Sequence, residues 1–349
     1  MDVHDLLQEP SKALEFDEML KNAMDGFRIY CLILSAVKLK IFDVLKTPKG
    51  ADEIAEELRC NDKKLLYVLC EVLKSKGLIL EENGKYRNSE VAEDFLTSDS
   101  FFSQCKFIEN TFGNLRLWLE LHEIVKHGVI KRARKDASKF FAETVIHSLA
   151  QNALLGELQK TVKIVSEFEE FKNARRLLDL GGGHGLYAMA FTALNENLKA
   201  YVFDLPHVVE KTKEYIRKFN ANRVDVIAGN FFVYSIGSNY DVVFSSYNPG
   251  GKKAELIPKI YESLNKNGLY VNKQYFSDSN DSNFTLIDLE WNLWGFDIEK
   301  AEKTYTFKGD LSFKNYIKEL EKVGFEILKV VDMNANDKMN DKMIIAKKI

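Results

Sequence analysis

The chain is 349 residues long, 46% hydrophobic and 29% charged, with a formal net charge of -3. That length exceeds what one hydrophobic core usually supports, so more than one domain is expected of an otherwise ordinary globular composition. The near-neutral balance removes any global reason to expect nucleic acid or an anionic membrane as partner, and no apolar run is long enough to span a bilayer.

The opening "MDVHDLLQEP" lacks the basic-then-apolar layout of a signal peptide, so a cytoplasmic address is the expectation. From Ala23 to Leu45 the apolar residues Phe27, Tyr30, Cys31, Leu34, Val37 and Ile41 fall at helical spacing. A short helix, a turn, a longer helix and two short strands around Asn83-Gly84 follow, and that order makes a winged helix. Its third helix, Asp62 to Ser75, is the one that would enter a major groove, and it carries Lys63, Lys64 and Lys74. The same helix is dominated by Leu65, Leu66, Val68, Leu69, Val72 and Leu73, which suggests packing on two sides, as a dimer interface requires. Nucleic acid is therefore the lesser reading. The basic run Lys131 to Lys135 reads as a solvated loop face. Cys31, Cys60, Cys70 and Cys105 are far apart with no C-x-x-C pair, so they are expected to be reduced and structural.

Between Phe101 and Glu170 the pattern is helical, with Gly128 as a C-cap. The domains expected are 1–98, a winged-helix domain; 99–172, helical linker and pocket helices; and 173–349, a catalytic domain. In the last of these, strands and helices alternate: "RRLLDL", "GLYAMAFTALNE", "KAYVFDL", "VVEKTKEYIRKF", "RVDVIAG", "YDVVFSS", "KAELIPKIYESL" and "GLYVNKQYF". Such alternation implies a mostly parallel, doubly wound α/β sheet. "GFEILKVVDM" and "KMIIAKKI" have no helix between them and should form an antiparallel pair at one edge. Asn336 to Met343, "NDKMNDKM", reads as the turn entering the last strand.

"LLDLGGGHG", Leu177 to Gly185, puts three glycines in a G-x-G-x-G pattern between the first of these strands and a helix beginning at Leu186. Glycines permit positive backbone angles and bare the chain to a ligand, and the following helix offers free N–H groups. The dinucleotide pattern G-x-G-x-x-G fails at Leu186, which weakens a nicotinamide reading without excluding it. Asp204 ends the second strand, placed for a ribose, with a helix N-cap as its structural alternative. The third strand ends in "AGNFF", where Asn230 could face the edge of an adenine and Phe231 its plane, while Phe232 is expected in the core. Ser245, at the end of the fourth strand, is a further cofactor-side candidate.

"LLDLGGGHG", "FDLPHVVE" and "GNFF", with the winged helix and the antiparallel final strands, resemble the S-adenosylmethionine-dependent methyltransferases of the plant caffeate and flavonoid O-methyltransferase type and their bacterial relatives. The resemblance covers nearly the whole chain. It implies a Rossmann-like class I methyltransferase sheet, parallel with an antiparallel edge hairpin, behind an α-rich winged-helix dimerisation domain. It also implies S-adenosylmethionine as cofactor, a small-molecule methyl acceptor and a homodimer formed through the N-terminal domain. By the resemblance, Gly181 and Gly183 approach the methionine portion, Asp204 with Leu205 holds the ribose side, and Asn230 with Phe231 holds the adenine. Asn230 stands where the family usually has Asp.

Oxygen-methylating relatives carry a His-Asp pair after the fourth strand, and the His deprotonates the acceptor. Here that region reads "YDVVFSSYNPGGKKAELIPKIYESL", and alignment from either end puts Gly250 or Ser246 at the His position. A phenol or alcohol needs a base, whereas a thiol is already partly ionised near neutrality. The missing His shifts the expectation toward a thiol, amine, carboxylate or carbon acceptor. His147, in a helix that resembles the family's pocket helix, is the first candidate for a polar pocket group, Tyr247 the second, and His184 the third, each against a purely structural role. His122 and His127 do not share a helical face, so no metal site is expected. "FTLIDLEWNLWGF", Phe284 to Phe296, puts Asp288 and Trp291 on one face, suited to a flat or cationic acceptor or else to core packing. Two further readings stay open: a catalytically inactive, cofactor-binding winged-helix regulator, and a nicotinamide oxidoreductase.

Overall fold

A computed structural model describes residues 3–129, 141–276, 284–295, 300–301, 304–333 and 340–349. Lys131 to Lys135, Phe296 and positions 336–339 of the tandem repeat lie outside the described residues. The chain forms two compact units, Met1–Glu109 and Asn110–Ile349.

In the first unit the long helix Ala13–Lys38 leads into the short helices Ile41–Val44 and Ala51–Glu57 and then the helix Lys63–Ser75. The Asp62 carboxylate caps the last of these by accepting the Leu65 N–H at 2.9 Å. Strands β1 (Ile79–Glu82) and β2 (Lys85–Asn88) pair antiparallel across Asn83-Gly84, both of positive φ, as a two-residue hairpin turn requires. The helix Lys63–Ser75 has two apolar faces. Leu66, Cys70 and Leu73, at i, i+4 and i+7, join the core of the unit, while Leu65, Val68 and Val72 face outward. Lys63 pairs with Asp52, and Lys74 with Glu71 and Glu81. The four cysteines form no disulfide.

The second unit is built on a seven-stranded sheet in the order β5-β4-β3-β6-β7-β9-β8. Its strands are β3 (Arg176–Leu180), β4 (Lys199–Asp204), β5 (Val224–Ala228), β6 (Tyr240–Ser246), β7 (Leu264–Tyr275), β8 (Phe325–Asp332) and β9 (Asp341–Lys348). The first five are parallel; β9 runs antiparallel to both β7 and β8. The helices Glu157–Ser166 and Leu186–Leu194 pack into one core with Leu177, Val242, Phe244, Leu269 and Val271. On the other face the helices Leu256–Ser263 and Phe313–Val323 pack over Leu178, Leu180, Val243 and Tyr270. The expected turn through Asn336–Met343 needs correction: Asp341, Lys342 and Met343 are already in β9, with Asp341 opposite Tyr275. Ladder hydrogen bonding to β7 outweighs the polar, turn-like composition of that stretch. Among the described residues no helix is long and apolar enough to cross a membrane.

Candidate active site

The order of β3, β4 and β6 puts the glycine loop at the carboxyl edge of the sheet, where the connections diverge. Gly181 has φ +69°, and a Cβ there would sit 2.8 Å from the Asn248 side chain. Gly183 has φ +53°, yet a Cβ there would meet nothing within 4 Å, so its bare side faces open space. The Gly183 N–H donates to Asp204 Oδ2 at 2.9 Å, and the Leu205 N–H donates to Asp204 Oδ1 at 2.7 Å. Asp204 thus ties the tip of β4 to the glycine loop. It is not a helix cap, because Leu205 occupies the N-cap of the helix Pro206–Lys218. Burial pushes the Asp204 carboxyl up, and its two N–H partners pull it back.

Beneath the loop lies Asp179, wholly buried with Oδ2 unpartnered, its carboxyl pushed up to about 7 by burial and then by the charge of Asp204. His184 accepts the Leu186 N–H on Nδ1 at 3.1 Å. Burial, helped by the charge of Lys273, pushes its imidazole down to about 4, so the ring is neutral. His184 therefore shapes the loop and satisfies an orphan donor of the next helix.

At the end of β5, Asn230 Oδ1 accepts the Phe232 N–H at 2.9 Å and closes a turn. Phe232 departs from the expected core position. Phe231 is 9% exposed and packs with Ile236, Tyr240 and Leu256, while Phe232 is 40% exposed, because the turn at Asn230 directs the first ring under the sheet edge. Leu205 is partly exposed at the tip of β4. Ser245 pairs with Leu180 across the sheet, and its Oγ accepts Asn248 Nδ2 at 2.8 Å. Asn248 also donates to Leu180 O at 2.6 Å, which knits the loop after β6 to the end of β3. One step on, Ser246 Oγ is buried without a partner.

The loop after β6 holds Tyr247, Asn248, Pro249, Gly250 and Gly251 and no histidine. Tyr247 has φ +47°, strained for a bulky residue. Its ring stacks on Tyr275 at 4.6 Å and 18°, and its hydroxyl donates to Asp341 Oδ2 at 2.6 Å. Against both lies Lys273, fully buried on β7. Its ammonium is ion-paired with Glu157, donates to Tyr187 Oη at 2.7 Å, and lies 4.7 Å from the ring centroids of Tyr187 and Tyr247. Sequence reasoning missed Lys273, Glu157 and Asp341. For Lys273 there was a signal: it shares the face of Leu269 and Val271, a single charge on an otherwise apolar stripe.

His147 does not join this cluster. Its Nδ1 lies 2.8 Å from Tyr215 Oη, and the Tyr215 ring reaches the His184 ring at 6.4 Å. Asp288 works as a cap: Oδ2 accepts the Thr285 N–H and hydroxyl, both at 2.8 Å, and Oδ1 accepts the Tyr305 N–H at 2.8 Å. Trp291 is buried among Trp294, Tyr305 and Phe307, with Lys300 Nζ 4.9 Å from its ring centroid and its own indole N–H unpartnered.

Residues 127–271 match the O-methyltransferase domain family, and residues 21–98 match the O-methyltransferase dimerisation domain. The chain belongs to the O-methyltransferase family. An uncharacterised protein of Methanocaldococcus jannaschii is 41% identical to it over 94% of this chain and 90% of the relative. Acetylserotonin O-methyltransferase of Homo sapiens is 27% identical over 61% of this chain and 66% of that protein. Human N-acetylserotonin methyltransferase, solved in complex with S-adenosylmethionine, superposes with a TM-score of 0.73 at 20% identity, covering 98% of this chain and 99% of that one. This protein is accordingly a methyltransferase; the human enzyme's structure holds S-adenosylmethionine. The residues present fit such a group: a bare glycine backbone facing open space, a carboxylate at the tip of β4 and an unsatisfied buried hydroxyl at Ser246.

Proposed function

We propose that this methyltransferase acts on a small-molecule acceptor whose reacting atom is more acidic than an ordinary phenol or alcohol, a thiol foremost. One observation carries the reading: the loop after β6 contains no histidine. Bound S-adenosylmethionine supplies an electrophilic methyl group. Gly181 and Gly183 give its methionine portion a close backbone approach, and Asp204, with lone pairs to spare beyond its two N–H partners, accepts from the ribose. Leu205, Asn230 and Ser245 border the adenine side, where exposure favours Phe232 over Phe231 as the stacking ring. The displacement asks the protein chiefly to position and desolvate the reactants. His147, held on Tyr215, positions the helix Ile146–Ala153 against the loop of His184. Asp288 and Trp291 shape the wall around Tyr305 on the acceptor side. The chain works as a homodimer through its N-terminal domain.

Calorimetry with S-adenosylhomocysteine should give saturable binding that Asp204→Ala weakens at least tenfold, since two charge-assisted hydrogen bonds shape the loop. Incubation of the enzyme with isotope-labelled cofactor and a metabolite extract should then place label on a thiol-bearing compound. Absence of binding would remove the methyltransferase reading, and label confined to unactivated alcohols would remove the acceptor class.

A further inference from the structure

Tyr247 follows directly on β6, where the sequence lacks the expected histidine, and four features fix its phenol. Its backbone is left-handed. Its N–H donates to Lys273 O at 2.9 Å. Its ring stacks on Tyr275, with the Lys273 ammonium below. Its hydroxyl donates to Asp341, at the first position of β9. We propose that Tyr247 and Asp341 form a proton relay for this transferase, in which the acceptor proton passes to Tyr247 Oη as the Tyr247 proton passes to Asp341 Oδ2. The proposal rests on the methyltransferase reading, and a carboxylate sink takes a proton readily only from an acidic acceptor, in keeping with the acceptor class proposed above.

The step balances. The acceptor X–H bond breaks, its electron pair makes the new bond to the methyl carbon, and the sulfur keeps the pair of the bond it loses. Two protons each move one place, leaving Asp341 protonated and Tyr247 unchanged. In this relay Tyr247 is the residue that would touch the acceptor, and Asp341, acting through it, is a positioning residue. The phenol cannot serve alone, because burial and then the charges of Glu157 and Asp341 hold its ionisation far above that of an ordinary tyrosine. It conducts a proton only in concert with a sink.

Asp341 is suited to be that sink. Burial pushes its carboxyl up to about 6, against the pull of the Tyr247 hydrogen bond and the charge of Lys273. The groups facing it are Tyr247 from the loop after β6, Tyr275 and Lys273 from β7, and Glu157 and Lys160 from the helix Glu157–Ser166. At neutral pH it is ionised, yet it is more basic than an ordinary carboxylate, which brings it closer to the acidity of a thiol or an activated hydroxyl.

The relay is tested on the full chain by 13C NMR titration with carboxyl-labelled aspartate, without cofactor. One resonance, absent from Asp341→Asn, should titrate near 6, and Tyr247→Phe, which removes only the donated hydrogen bond, should shift it upward. A resonance titrating below 5, or one that Tyr247→Phe leaves in place, overturns the proposal. The second arm uses substituted thiophenols and phenols as acceptors. Tyr247→Phe should cost roughly 100-fold for those protonated at the assay pH and almost nothing for those already ionised. With protonated acceptors the wild-type rate should rise with pH through about 6 and lose that limb in Asp341→Asn, because only the ionised carboxylate accepts a proton. An equal loss across the acceptor series would mean a structural role and overturn the relay. Failure to bind S-adenosylhomocysteine would instead overturn the methyltransferase reading, which the titration does not touch.

Discussion

Gly183 separates two demands that usually coincide at a glycine. Its φ of +53° disfavours any side chain, but the space beside it is open, so substitution meets strain without collision. Gly183→Ala should therefore cost only the left-handed backbone penalty, about 1–2 kcal/mol in urea unfolding. The added methyl group points at the bare side of the loop, so calorimetry should show S-adenosylhomocysteine affinity falling more than tenfold. Unchanged affinity would mean that the cofactor does not lie against this backbone. Gly181→Ala could not make the distinction, since its Cβ would collide with Asn248. At this scale the sequence was informative about backbone and less so about rings. Asp204 was legible as the acid at the tip of β4, and its tie to the glycine loop was not, because that contact is made between two segments. Phe232 was expected in the core and is exposed, because neighbouring residues of one type carry no mark of which way a turn will throw them.

Strand β7 carries the element-scale counterpart. Lys273 is fully buried, and burial lowers the basicity of its amine while its ion-pair partner Glu157 raises it. Glu157→Gln strands that ammonium and should cost about 3–5 kcal/mol of stability. Lys273→Met strands a carboxylate that is 29% exposed and still reaches water, so it should cost less. The double variant should recover most of the loss, and additive costs in the denaturation cycle would remove the pair from the account of β7. Strands β3 and β4 and the helix Leu186–Leu194 could be bounded in advance because each is a short apolar run closed off by Gly, Asn or Asp. The Lys273 pair could not, because Glu157 lies 116 positions away on a helix and a long-range contact leaves no periodicity in either segment. Asp341 was hidden for the same reason: "NDKM" looks like a turn, and only the ladder to β7 makes its aspartate a strand position.

For the whole molecule, the question is what covers the N-terminal unit. Leu65 and Val68 are 63% and 47% exposed on the outward face of the helix Lys63–Ser75. On the helix Ala13–Lys38, Phe16, Leu20, Met24 and Phe27 make a second exposed stripe at helical spacing. A monomer rarely leaves two such faces in water, and each large side chain still exposed is worth about 1 kcal/mol when covered. Lys63 and Lys74 of the outward helix are held in ion pairs with Asp52, Glu71 and Glu81, so that face offers a phosphate backbone less charge than its lysines suggest and a second copy much apolar area. Sedimentation equilibrium at micromolar protein should give twice the chain mass. Leu65→Glu with Val68→Glu should return the monomer mass while leaving near-UV circular dichroism intact, since both side chains lie outside the core of their own unit. A variant that stays dimeric would place the interface on the helix Ala13–Lys38 alone. A wild type that is monomeric at every concentration would leave the homodimer without support, whatever the match of residues 21–98 to a dimerisation domain implies.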